Sequence, residues 1–151
     1  MKNLLFILFL FPLVSLGQSE KKIKKIAEKT IKIYLDKEVI NESKNNCNSC
    51  SLSFVKNRDD ELDFHSKFSF ALRDMGFKLN KETVDIGIEY YYDFECGDDY
   101  LSGWCIVNRL NVTFIDLTKN GEEIGKISFS GGRKIGVIQQ AIIYMMKKKL
   151  G

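Results

Sequence analysis

The stretch Val84-Asp85-Ile86-Gly87-Ile88-Glu89-Tyr90-Tyr91-Tyr92-Asp93-Phe94 decides how this chain is read. Val84, Ile86, Ile88, Tyr90, Tyr92 and Phe94 fall on every second position, and Asp85, Gly87, Glu89 and Asp93 fall between them. A period of two sends successive side chains to opposite faces of a strand. One apolar and one polar face predict a half-buried strand of an antiparallel sheet. The same alternation splits the tyrosine run: Tyr90 and Tyr92 point inward and Tyr91 outward.

Working outward, Glu95 to Gly103 reads as a loop. A second strand from Trp104 to Leu117 turns Leu110, Val112 and Phe114 inward. Thr118-Lys119-Asn120-Gly121 is a hairpin signal, because Asn-Gly accepts the left-handed backbone of a tight turn. A third strand, Glu123 to Ser130, carries Ile127 and Phe129 and is expected to stop at Gly131-Gly132. Ile135, Ile138, Ala141, Ile142 and Met145 then form the apolar stripe of a helix from Lys134 to Lys149. Its terminal lysines, Lys147 to Lys149, complement the helix dipole.

On the other side, Phe64, Phe68, Ala71, Leu72 and Met75 share one face of a helix that Gly76 is placed to cap. Asp59, Asp60 and Glu61 precede it, where the dipole favours negative charge. Leu52 and Phe54 alternate with serines in a short strand over Ser51 to Val55. Ser19 to Asn41 admits two readings. Ile23, Ile26, Ala27, Thr30, Ile31, Tyr34, Leu35 and Val39 suit one amphipathic helix, which is favoured although Ile33 and Ile40 break its pattern. Ile31, Ile33 and Leu35 also suit a strand over Thr30 to Leu35 after a helix ending at Lys29. Asn41 to Ser51 reads as a polar loop. Helices at the ends and strands gathered between them imply an α+β fold: an antiparallel β-meander of three to four strands with helices packed on one face.

The chain has 151 residues, a length suited to one domain with its own core. Lys2 followed by the apolar run Leu4 to Val14 and the small residues Ser15 and Gly17 has the layout of a secretory leader. Residues 1–17 are read as a signal peptide and 18–151 as a single domain, exported to the periplasm or beyond. Gln18 stands where a lipoprotein would carry its acceptor cysteine, so no lipid anchor is expected. The run is shorter than the roughly 20 apolar residues that span a bilayer, and no transmembrane segment is expected. A formal net charge of +3 spread over mixed charges argues against nucleic acid.

Three local patterns carry a family resemblance. They are Leu72-Arg73-Asp74-Met75-Gly76-Phe77 at a helix end, Val84-Asp85-Ile86 opening a strand, and Ile115-Asp116-Leu117 before a hairpin. With the last strand and helix, they make residues 64–150 resemble a loose group of small Gram-negative envelope α+β domains of unknown function, many of them lipoproteins. The chain departs from that group in lacking the lipid-acceptor cysteine, and in having Ile127 and Phe129 where a tryptophan stands in the last strand. The resemblance implies an envelope location and no particular chemistry.

The residues that could carry chemistry are few. Cys47, Cys50, Cys96 and Cys105 form an even set in an exported chain, which favours disulfides. Cys96 and Cys105 sit at the facing ends of two expected strands, so a bridge there would close a hairpin mouth. Cys47 is paired with Cys50, and cross-pairing between the two sets stays open. Cys47-Asn48-Ser49-Cys50 also allows a thiol–disulfide oxidoreductase as the alternative function, since a Cys-x-x-Cys thiol at a helix N-terminus becomes reactive. Its polar-loop setting and the lack of a matching second pair speak for a structural role and against metal. Asp98, Asp99, Tyr100 and Trp104 in the loop, with Tyr91 on the outer strand face, form a candidate contact surface. The loop acids lack the ordered ligand spacing of a calcium loop. His65 has no nucleophile motif beside it, and Gly131-Gly132-Arg133-Lys134 lacks the lysine spacing of a phosphate loop. No cofactor or metal is implied. The reading is an exported, non-enzymatic domain of the envelope that binds a protein or envelope component.

Overall fold

The computed structural model describes residues 19–45, 52–54, 62–79, 86–97 and 104–151. A helix α1 over 19–30 leads into strand β1 (Ile31–Leu35) and helix α2 (Lys37–Asn45). Strand β2 (Leu52–Phe54) and helix α3 (Phe64–Asp74) follow. The meander consists of β3 (Ile86–Cys96), β4 (Cys105–Asp116) and β5 (Glu122–Arg133), and helix α4 (Ile135–Leu150) closes the chain.

The sheet order is β1-β5-β4-β3-β2. Four strands run antiparallel, as the alternation requires, and the three-residue β2 adds a parallel edge against β3. Register lines the inner face up in rows: Ile88 opposite Phe114, Gly125 and Leu35, then Tyr90 opposite Val112, Ile127 and Ile33. Helix α4 lies against β1, β5 and β4, with α2 and α3 beside it. Phe114, Leu110, Val112, Ile127, Ile138, Ile142 and Met146 are fully buried between the layers. Burying each such side chain is worth about 1.5–3 kcal/mol, so this layer holds the fold together. Against β3, Phe64 packs at ring-centroid distances of 4.9 Å from Tyr90 and 5.0 Å from Phe68. The aromatic row continues outward through Tyr92 to Phe94.

The strand reading of residues 30–35 prevails over the helix. Ile31 to Leu35 pair with the free edge of β5, from Phe129 to Gly125. Helix α1 stops at Thr30, whose hydroxyl donates to the Ile26 carbonyl at 2.7 Å, a bond that competes with helix continuation. The chain then turns back into helix. The Asp36 carboxylate accepts from Val39 N at 3.3 Å and caps α2, which extends through residues expected to be loop.

Strand β5 also runs past its expected end. Gly131 adopts φ +118, a conformation closed to side chains, and absorbs a register shift opposite Val107 and Arg109. Pairing resumes between Val107 and Arg133. The glycines are therefore a bulge within the strand. At the other end of β5, Asn120 and Gly121 take left-handed conformations after a single 3₁₀ turn, Leu117–Lys119, and form the expected hairpin. Gly76, at φ +89, ends α3, and Phe77 N donates to the Leu72 carbonyl at 3.0 Å in a C-terminal cap.

Candidate functional site

The outer face of the sheet follows from the same register. Tyr34 stands opposite Lys126, Lys126 opposite Thr113, and Thr113 opposite Glu89. The next row reads Lys32, Ser128, Asn111 and Tyr91. Strands lie about 4.8 Å apart, so each row spans roughly 14 Å from β1 to β3. Tyr34 and Tyr91 are 62% and 63% exposed at the two ends of this surface, with hydroxyl-, amide- and charge-bearing side chains between them. Among the described residues, no helix packs here.

Arg109 Nε pairs with Asp93 Oδ2 at 3.0 Å at the border of this face. The arginine is largely exposed, so the pair contributes little to stability. Its position is more informative: Asp93 lies where β3 and β4 shift register by a bulge. Beyond the bulge, Phe94 faces Val107 and Cys96 faces Cys105.

Cys96 and Cys105 are joined by a disulfide, with their Cα atoms 4.1 Å apart. Gly97 N donates to the Trp104 carbonyl at 3.2 Å, extending the ladder one step past the bridge. A Cβ at Gly97 would come within 2.7 Å of Trp104 Cζ2, so glycine makes room for the indole at this mouth. Trp104 remains 42% exposed. Bridge and tryptophan together give the meander a covalently held end with an aromatic at its rim.

Asp116 organises the opposite end. It is buried where β4 ends, and its carboxylate accepts from the Thr118 hydroxyl and, at 2.9 Å, from Thr118 N. The Thr118 hydroxyl bond holds its pKa below the ordinary carboxylate value. Burial opposes this shift, while the backbone bonds and the Lys119 charge add to it. The group is saturated with local partners and serves the turn.

The structure thus brings Tyr91 to the outer face and Trp104 to the bridged mouth. It leaves His65 exposed on α3. Asp98, Asp99 and Tyr100, and also Cys47 and Cys50 with their pairing and redox reading, lie outside the described residues. Among the described residues, no three His, Cys, Asp or Glu side chains gather as a metal site, and no helix is long and apolar enough to cross a membrane. Tyr34 on the outer sheet face and Phe70 on α3 are exposed aromatic residues that the sequence reading does not anticipate. For Tyr34 the signal lies in its own strand, in the alternation Ile31-Lys32-Ile33-Tyr34-Leu35, which puts Tyr34 outward once the segment is a strand.

No family model matches the chain, and no curated protein matches it. Among solved structures it is similar to a single-residue variant of PelC from Paraburkholderia phytofirmans, crystallised as a dodecamer. The TM-score is 0.49 at 10% identity, over 80% of this chain and 96% of that one. A second PelC dodecamer from the same organism gives a TM-score of 0.45 at 11% identity, over 80% and 93% of the two chains. A minor lipoprotein from Acinetobacter baumannii is similar with a TM-score of 0.40 at 12% identity, over 68% of this chain and 91% of that one.

Proposed function

We propose that the protein is an exported, non-enzymatic domain of the cell envelope that binds another protein through the outer face of its sheet. The observation that carries this reading is the pair Tyr34 and Tyr91, both more than 60% exposed on one uncovered face and separated by polar side chains. Tyrosine presents a large, rigid, amphipathic contact at low entropic cost and is enriched at protein interfaces. The Cys96–Cys105 bridge supports an oxidising compartment, where disulfides persist. In this reading residues 1–17 direct export and are removed before Gln18, and residues 18–151 form the working domain.

Photo-crosslinking in intact cells tests the binding face. A benzoylphenylalanine placed at Tyr34 or Tyr91 should yield one shared discrete adduct, and the same group at Thr118 should not. Adducts of equal intensity from all three positions, or none from either tyrosine, would refute the assignment. Intact mass of the protein recovered from the envelope tests the leader, with a chain beginning at Gln18 as the expected result. The oxidoreductase alternative rests on Cys47 and Cys50 alone, and insulin reduction by the purified protein would establish it.

A further inference from the structure

Helix α1 carries Lys21, Lys22, Lys24, Lys25 and Lys29, all exposed, while Ala27 is buried in the core. Helix α4 ends in Lys147, Lys148 and Lys149, also exposed. These two segments are far apart in sequence and adjacent in space: Lys148 Nζ meets Glu28 Oε1 at 3.2 Å. The two helices together carry eight exposed lysines, with Glu20 and Glu28 as their only acidic residues. The whole chain has a formal net charge of +3, so the rest of the molecule is net acidic and the positive charge is segregated.

Between α1 and α4 runs a groove of about 490 Å³. Ile23, Ile143 and Tyr144 line it with apolar surface, Lys21, Lys24 and Lys147 stand around it, and Glu20 is the one acidic residue in its lining, beside the polar Ser19 and Gln140. We propose that this groove binds an anionic lipid at a bilayer surface, with the lipid's alkyl part on Ile23, Ile143 and Tyr144 and its phosphate among the three lysines. The pairing of surfaces selects this occupant. Ammonium groups alone would serve any polyanion, but an apolar floor directly beside them matches a molecule that is anionic and alkyl at once. Each lysine close to an anionic bilayer surface strengthens adsorption roughly fivefold, an attraction screened by salt. The site is on a different part of the molecule from the outer sheet face and does not depend on what that face binds.

The test is co-sedimentation of the protein recovered from the cell envelope, its N-terminus verified by mass. Vesicles of phosphatidylglycerol and phosphatidylcholine in equal parts are compared with vesicles of phosphatidylcholine alone. Binding is expected only with phosphatidylglycerol and should fall as salt rises. Combined Lys21→Glu, Lys24→Glu and Lys147→Glu should weaken it more than roughly a hundredfold. Ile143→Gln should weaken it several-fold with all lysines in place. Lys32→Glu with Lys126→Glu, on the outer sheet face, should leave vesicle binding unchanged, so failure here and failure of the sheet-face reading are separately visible. If the triple variant does not fold, Lys21→Glu and Lys147→Glu singly carry the same test in smaller steps. Equal binding to both vesicles, no binding to either, or full binding by the charge-reversed variants would overturn the proposal. So would an unaltered affinity in Ile143→Gln, or retention on double-stranded DNA without vesicle binding, which would assign the face to nucleic acid.

Discussion

The two faces of the sheet are built from alternate residues of the same strands and share every backbone hydrogen bond, yet they do different work. On the inner face Leu110, Val112, Phe114 and Ile127 are fully buried, with α4 packed against their strands. On the outer face Asn111 and Thr113 from the same strand β4 reach water beside Lys126 and Tyr91. The backbone supplies the scaffold for both faces, and side-chain burial puts most of the stability on one of them. The outer face is thereby free to vary in chemistry at little cost in folding energy.

Phe114→Ala should break the comparison hardest. Removing a fully buried ring at the centre of the inner face should lower unfolding free energy by about 3–5 kcal/mol, read from urea denaturation. A loss below about 0.5 kcal/mol would mean that the inner face is not the core.

The bridge at the mouth belongs to neither face and should rank second. Replacing Cys96 and Cys105 together by serine reopens a loop with a sequence separation of nine, which the chain-entropy model values at about 2–3 kcal/mol. Thermal melts of the double variant and of the reduced protein should shift down together. A shift confined to the variant would point to packing lost at Trp104 and not to the crosslink.

Asp116 sits on the inner side of the sheet at its far end, and its effect depends on pH. Its folded pKa lies below the ordinary carboxylate value, chiefly through the Thr118 hydroxyl. The stabilisation is therefore present above the unfolded pKa of about 3.9, and is lost as pH falls through the lower folded value. Thr118→Val should destabilise the protein at neutral pH by roughly 1 kcal/mol and flatten the acid limb below about pH 4. An acid limb identical to that of the parent would remove Asp116 from the account.

The smallest effect sharpens the contrast. Tyr34→Ser with Tyr91→Ser should change stability by no more than about 0.5 kcal/mol per site, because both rings are mostly in water. The same variant should lose the shared partner on which the functional proposal rests. Stability that falls by several kcal/mol would mean that this face is covered in the native protein.

By itself the sequence determined what short-range physics governs. The period of two over 86–94 specifies β3 and its inward tyrosines, Asn120-Gly121 specifies a hairpin, and Gly76 specifies the end of α3. Each depends on residues within a few positions, through side-chain alternation or a backbone conformation that few residues tolerate. The antiparallel α+β architecture with helices on one face follows from the order of those elements. Tertiary structure decided the rest. Ile31 to Leu35 suit a helix or a strand by pattern, with the helix favoured, and the open edge of β5, almost a hundred residues away, made them β1. Gly131-Gly132 reads as a stop until the partner strand β4 makes Gly131 a bulge. Tyr34 could be placed on the candidate binding face only after β1 was a strand. The lysines of α1 and α4 are ordinary charges along the chain and become one basic edge only when Lys148 meets Glu28. In all these cases the local free-energy difference between alternatives is small, and contacts between distant segments, which no local window contains, select the outcome.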